Sequence, residues 1–405
     1  VSIEVFEAII VGAGPAGSFA AERLARGGCR VALFDGRPED EQKPCGGGVT
    51  SKALKAWPEL QGAVGRTIER IEMYSPAGKR LALKLADPFA IYSRSVFDSF
   101  LRDRAAKAGA RVFNQKLSFN SVRRQTGGWV ARLTDDSAIE ARMLVAADGA
   151  NSRFAKEFAG PLPNAEMEVA FGYRAPMPKD GRCETVVAFM PGWAGYAWAF
   201  PRTDHISFGI ATSQDTFDHK ALDRLLWDFM IFFYGQDRRN KRTLWAEDKG
   251  GGQDLGAVTE FLEKNSERYA ARIPGLAAGT WDQRRTVGDG WALLGDAAGF
   301  ADPVTGEGIY YALRSGELFA DAYLAGNMDE YDRLWREDFG RELKRASEMR
   351  ARFYGSFWGA PFTERMIEFA RGHRGIRRVL GDLVAGDQGY TDLKARLAKS
   401  ALRPI

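Results

Sequence analysis

Residues 7–17 read EAIIVGAGPAG, an apolar run that breaks into glycines at positions 12, 14 and 17. The run predicts a strand, and the small and apolar residues that follow, Ala20, Ala21 and Leu24, recur at helical spacing. A second short apolar stretch, Arg30 to Phe34, ends at Asp35, 23 residues beyond Gly12, which suits a βαβ unit. Gly12 permits the tight turn, Gly14 lets backbone approach a pyrophosphate, and Gly17 lets helix and sheet pack closely. The helix then presents unpaired N–H groups and a favourable dipole to the anion. Asp35 is placed to accept hydrogen bonds from an adenosine ribose. A lone GxGxxG is weak; with strand, helix and acid in register it predicts a dinucleotide site.

The chain has 405 residues, 45% hydrophobic and 27% charged, the composition of ordinary globular protein with two or three structural units. The net charge of +4 is concentrated: from Arg371 onward eight Lys/Arg stand against three Asp/Glu. A nucleic-acid binder is not indicated, and the basic end reads either as a solvated helical face or as a peripheral contact with anionic lipid. Cys29, Cys45 and Cys183 contain no CxxC pair, which argues against a disulfide framework, a zinc site or an iron–sulfur cluster. His205, His219 and His373 are scattered, so neither a metal site nor a Ser-His-Asp arrangement is expected. With no leader-like or membrane-spanning run, the reading is a cytoplasmic protein, or one peripheral to a membrane.

Further along, Ile68 to Leu85 alternates around Ser75-Pro76-Ala77-Gly78 and predicts a hairpin of a second domain. Val96 to Gly109 predicts a helix, and strands are expected around Val112, Val130 and Leu144 to Ala146. Short strands recur from Val169 to Ala211, and Phe217 to Tyr234 predicts a helix apolar on most sides. Asp135-Asp136 reads as a solvent-facing turn. Beyond Gly316 the chain is mostly helical. NAD and FAD share the opening motif, and two later segments bear on the choice: residues 144–153, LVAADGANSR, and residues 293–302, LLGDAAGFAD, each an apolar strand running into an Asp-Gly or Gly-Asp turn.

With these three segments in this order, the sequence resembles the FAD-containing superfamily of aromatic hydroxylases, flavin halogenases and geranylgeranyl reductases, over about residues 4 to 315. The resemblance implies an α/β (α+β overall) protein: a Rossmann-like three-layer FAD domain (1–65, 90–160 and 280–320), an inserted sheet-rich substrate domain (66–89 and 161–279) and a helical C-terminal region (321–405). It implies FAD contacts from Gly12, Gly14, Pro15, Ala16, Gly17, Asp35, Gly36, Arg37, Arg94, Leu117, Asp148, Gly149, Gly295 and Asp296. Pro303, Gly306, Gly308 and Ile309 would bring N–H groups and a helix N-terminus to the flavin's pyrimidine edge, where negative charge develops on reduction. No second GxGxxG with such flanks exists, so NADPH or a reduced electron carrier would visit transiently.

Residues 43–48, KPCGGG, and 195–201, GYAWAFP, resemble the geranylgeranyl reductase family, whose members reduce carbon–carbon double bonds of isoprenoid chains. Trp193 stands where that family's longer pattern has proline, with Pro191 two residues earlier. Tyr196, Trp198 and Phe200 alternate and share one face of an extended segment, suiting either a wall for an apolar chain or core packing. The aromatic helix that follows is open to the same two readings. Cys45, with Gly46 and Gly47, would sit beside the flavin. Cys45 and Tyr196 are the expected proton donors to an alkene carbon, with reduced FAD supplying hydride. Two rival readings remain: a monooxygenase or halogenase working through a flavin hydroperoxide, and a quinone-linked electron-transfer flavoprotein.

Overall fold

The computed structural model describes residues 3–38, 43–213, 218–235, 244–245, 255–357 and 359–401. The chain divides into two compact units. The first comprises residues 1–43, 94–166 and 273–347, the second 44–93, 167–272 and 348–405.

The first unit is built on a sheet whose strands run Trp291–Leu293, Ala138–Ala146, Ile3–Val11, Val31–Phe34 and Arg111–Phe113, all parallel. The strand ends buried on both sides read as unbroken apolar runs, Ala8 to Val11 and Val31 to Phe34, as parallel strands do. A short strand Val287–Gly288 and the meander Val122–Gln125 and Gly128–Arg132 extend it antiparallel. Helices Pro15–Arg26 and Ile309–Leu324 pack closely where Gly316 meets the first: a Cβ at Gly316 would fall 2.7 Å from the Ala16 carbonyl oxygen.

The second unit carries an eight-stranded sheet ordered Glu267–Pro274, Met167–Pro176, His205–Ser213, Gly195–Pro201, Val186–Phe189, Gly65–Tyr74, Arg80–Tyr92 and Gly48–Val49. The expected hairpin is present: Tyr74 pairs with Arg80, and the turn closes through Ser75 N–H to Lys79 O (3.0 Å) and Gly78 N–H to Ser75 O (2.8 Å). One sheet face, with Phe171, Ala175, Val186, Ala188, Ala197, Ala199, Phe208 and Ile210, packs under helix His219–Gly235 through Leu222, Leu226, Phe229 and Met230. Three further helices, Phe362–Gly372, Arg374–Val384 and Leu393–Ala401, form a helical C-terminal region. Two of its basic side chains are engaged internally: Arg377 Nε donates to Ala370 O, and Arg396 pairs with Asp382.

The division differs from the expected boundaries most at residues 44–65 and 321–347, and by shorter stretches at 90–93, 161–166 and 273–279; residues 348–405, expected as a region of their own, fall in the second unit. Residues 44–65 belong to the second unit, because Gly48 and Val49 pair with Ile91 and Ala90 and the Tyr92 hydroxyl donates to Leu60 O. Residues 321–347 belong to the first, because Tyr331 and Trp335 are fully buried there, with the Tyr331 hydroxyl on Leu293 O and Trp335 Nε1 on Thr286 Oγ1. The predicted helix 217–234 is observed as His219–Gly235, and Phe217 lies outside the described residues.

Phe229 is fully buried, its ring 6.0 Å edge-on from Phe208. Phe229→Ala is expected to destabilise the second unit by about 3–5 kcal/mol, read as a lower denaturant midpoint.

Candidate functional site

In the first unit the glycine motif sits between the strand Ile3–Val11 and the helix Pro15–Arg26. Gly12 adopts φ +105°, and a Cβ there would lie 2.3 Å from the Ala147 carbonyl oxygen; one at Gly17 would lie 1.9 Å from the Gly12 carbonyl oxygen. Both positions exclude a side chain. Gly14 is different. It caps the helix without a side-chain hydrogen bond, and among the described residues the only atom within 4 Å of a Cβ there is Arg94 Nη2, at 4.0 Å. The helix therefore opens onto space with its first-turn N–H groups and a guanidinium beside it.

The other two segments reach the same region of this unit. Gly295, at φ +55°, is wedged so that its Cβ position lies 3.1 Å from Ala16 Cβ and 3.3 Å from Ala312 Cβ. It thereby ties the start of the first helix to the first turn of Ile309–Leu324. That second helix is capped by Gly308, again with no side-chain cap, and a Cβ at Gly308 would be 3.1 Å from Asp296 Oδ1. Pro303 to Gly308 is shaped by buried Asp302, whose Oδ1 accepts from Val304 N–H (2.7 Å) and Thr305 N–H (3.1 Å) while its carbonyl accepts from Gly306 N–H. Gly149, at φ +90°, faces space in which the nearest atom among the described residues to a Cβ there is Lys43 Nζ, at 4.0 Å. The same ammonium lies 3.9 Å from Asp296 Oδ2.

Behind the motif runs an ion-pair chain. Arg94, Asp98 and Arg102 stand one turn apart on the helix Arg94–Lys107. Arg94 Nε and Nη2 grip Asp98 at 2.8 and 3.0 Å, Arg37 Nη1 reaches the same carboxylate at 2.8 Å, and Arg37 and Arg102 both pair with Asp35. Burial works against charge on Asp98, but Arg94 and Arg37 outweigh it and hold the carboxyl below its ordinary range. Asp35, expected to face a ribose, is thus also the acceptor for two arginines. Gly36 packs on Lys116, next to buried Leu117.

These residues fit FAD. Two uncapped helix N-termini, two glycines that face open space and a cation beside each of those glycines form a cradle for a pyrophosphate and the groups that flank it. Lys43 and Arg102 were not singled out from the sequence. The i, i+4, i+8 stripe of Arg94, Asp98 and Arg102 was a readable signal for one of them, whereas nothing in the spacing connects Lys43 with Gly149 and Asp296. Among the described residues, no three His, Cys, Asp or Glu side chains gather as a metal site, and no helix is long and apolar enough to cross a membrane.

The remaining expected residues, Cys45, Gly46, Gly47, Tyr196, Trp198 and Phe200, lie in the second unit. Tyr196 and Trp198 have ring centroids 5.9 Å apart, and Trp198 and Phe200 6.3 Å. They occupy the sheet face opposite Ala197 and Ala199. The helix His219–Gly235 packs on the alanine side, so its aromatic residues build the core and do not line the Tyr196 face, correcting one of the two readings left open for it. The Cys45 turn does lie on the aromatic face. A Cβ at Gly46 would touch the Phe200 ring at 3.1 Å, with Trp198 Nε1 at 3.7 Å. Trp198 is 5% exposed, and its Nε1 finds no hydrogen-bond acceptor among the described residues. Beside it, burial pushes the Tyr269 phenol up to about 12; its hydroxyl lies 2.9 Å from Ser207 Oγ and donates to Phe208 O.

Two expected outcomes test the first unit. Gly17→Ala, which forces helix from sheet, yields purified protein lacking bound flavin, read from its visible absorbance. Asp98, with its carboxyl held low, contributes stability above the ordinary carboxylate range that is lost as the pH falls below about 4. Asp98→Asn removes that acid-dependent component and costs about 3–5 kcal/mol at neutral pH by leaving Arg94 without its carboxylate, checked by urea titration at several pH values.

Comparison with known proteins agrees with this assignment. Residues 5–173 match the family model described as FAD binding domain. The chain is 29% identical over 359 residues to the chloroplastic geranylgeranyl diphosphate reductase of Oryza sativa subsp. japonica, covering 82% of this chain and 70% of that protein. It is 27% identical over 374 residues to the digeranylgeranylglycerophospholipid reductase of Methanothrix thermoacetophila, covering 86% and 87%. In fold it is similar to a geranylgeranyl bacteriochlorophyll reductase-like protein of Thermoplasma acidophilum (TM-score 0.74, 21% identity, 98% of this chain and 100% of that one) and to the flavin-dependent brominase Bmp2 (TM-score 0.66, 17% identity, 98% of each). The chain is an FAD-dependent oxidoreductase that is similar in sequence to the geranylgeranyl reductases and shares its fold with the flavin-dependent brominase Bmp2.

Proposed function

We propose that this protein reduces carbon–carbon double bonds of an isoprenoid chain. The observation that carries the reading is the Cys45 turn packed against Phe200 and Trp198, on the sheet face opposite the one that packs under the helix His219–Gly235. The similarity to reductases named for geranylgeranyl substrates supports it. Three rings along one strand suit a long apolar chain, whose binding is favoured by burial rather than by hydrogen bonds.

When bound and reduced, FAD supplies a hydride, two electrons and one hydrogen, to one alkene carbon. The second hydrogen must arrive as a proton at the neighbouring carbon. Cys45 is the donor we assign: its S–H bond breaks, the C–H bond forms, and the thiolate recovers a proton from solvent. Its sulfur is held within the turn by the Gly47 N–H at 3.3 Å, and this fixed position puts Cys45 ahead of Tyr196 as the donor. Tyr196, Trp198 and Phe200 hold the chain and exclude water. NADPH or a reduced electron carrier would have to supply two electrons for each bond reduced.

The test is anaerobic. With chemically reduced protein and geranylgeranyl diphosphate, the expected result is a product heavier by two hydrogens per reduced bond, detected by mass spectrometry. Cys45→Ser is expected to retain FAD and lose about 10²-fold or more in rate, while Tyr196→Phe loses far less. A reaction that proceeds only when oxygen is admitted, giving a hydroxylated, epoxidised or halogenated product, would overturn the reading. Reduction of a quinone analogue with every alkene left intact would do the same.

A further inference from the structure

The turn that carries Cys45 is held by a side chain that no sequence motif marks. Arg202 follows the aromatic strand directly and is 5% exposed. Its backbone is fixed twice, through its N–H to His205 O at 2.8 Å and through its carbonyl, which accepts from Arg66 Nη1 at 3.2 Å. From that anchored position the guanidinium reaches back to the glycine turn, where Nη2 donates to the Cys45 carbonyl at 2.5 Å.

The opposite side of the turn is held as firmly. Tyr92 N–H donates to Gly47 O at 2.9 Å. Gly47 adopts φ +76°, and a Cβ there would fall 2.2 Å from the Tyr92 carbonyl oxygen and 3.1 Å from Arg202 Nη2. Residue 47 is therefore clamped between the Tyr92 backbone and the Arg202 guanidinium, in a space that admits glycine alone. Within the clamp, Gly47 N–H donates to Cys45 Sγ at 3.3 Å. The guanidinium thus fixes the peptide that follows the thiol, and the amide two residues on fixes the sulfur.

We propose that Arg202 is the positioning residue for Cys45, holding its turn in one conformation against Phe200 and Trp198 and so fixing where the thiol hydrogen is presented. The charge also reaches its neighbours: burial first and then Arg202 lower the pKa of His205, and burial raises that of Tyr269 with Arg202 opposing. Lysine would keep the charge but lose the planar fork. The proposal bears on turnover only through the Cys45 assignment above, but its geometry can be tested without it.

The experiment measures iodoacetamide alkylation of each cysteine by peptide mass spectrometry in the FAD-bound protein, with Cys29 and Cys183 as internal references. Arg202→Met is expected to raise the Cys45 rate by about tenfold or more, the equivalent of one lost charge-assisted hydrogen bond, with the two reference rates unchanged. Arg202→Lys is expected to give a smaller rise confined to Cys45. Should Arg202→Met expose all three cysteines by unfolding, Arg202→Lys decides: an unchanged Cys45 rate overturns the proposal, and a selective rise upholds it. Cys45 rates equal to the parent's in both folded variants also overturn it. A Cys45→Ser protein that keeps full alkene turnover would remove Cys45 as the acid, and would leave the alkylation result to judge Arg202 on its own.

Discussion

No side chain can stand at position 17. The first helix is pressed so tightly on the sheet that even a methyl group there would overlap the Gly12 carbonyl oxygen, and the nucleotide end of the first unit depends on that closeness. It brings the start of the helix level with the ends of the parallel strands. There the turn at Gly295 touches both Ala16 and Ala312, tying the starts of the two helices together. A phosphate group is then met by oriented amides and two nearby cations without any side chain having to reorganise, the arrangement that favours an anion most cheaply.

The ion-pair chain behind the motif adds a second constraint. Arg94 is buried and shares Asp98 with Arg37, which in turn shares Asp35 with Arg102. Each carboxylate serves two guanidinium groups, so the positions of five residues are mutually determined. Such a network gives little net stability over an apolar alternative, but it fixes geometry, because any one member moved leaves a buried charge uncompensated.

Much of this was legible in the sequence. Gly12, Gly14, Gly17 and Asp35 announce their strand–turn–helix setting by spacing, and the alternation of Tyr196, Trp198 and Phe200 was enough to put the three rings on one face. The limits of that reading are equally physical. Whether the aromatic helix His219–Gly235 covers the ring face or the alanine face depends on which side of a sheet a crossover lands, and local periodicity carries no information about that. Boundaries misled for a related reason: Gly48 and Val49 are too short to show as a strand, yet their pairing with Ala90 and Ile91 draws residues 44–65 into the second unit. Arg202 and Lys43 gave no signal because their roles arise from contacts across long stretches of chain.

The second unit's sheet separates two tasks by face. Small alanines and large helix residues satisfy folding on one side, while the aromatic strand and the cysteine turn are gathered on the other. Trp198 is buried on that second face, its ring filling the space beside Gly209, where a Cβ would fall 2.0 Å from it, so the aromatic side is packed as tightly as the alanine side. Positions 198 and 209, paired across neighbouring strands, therefore constrain each other, and neither can change size alone.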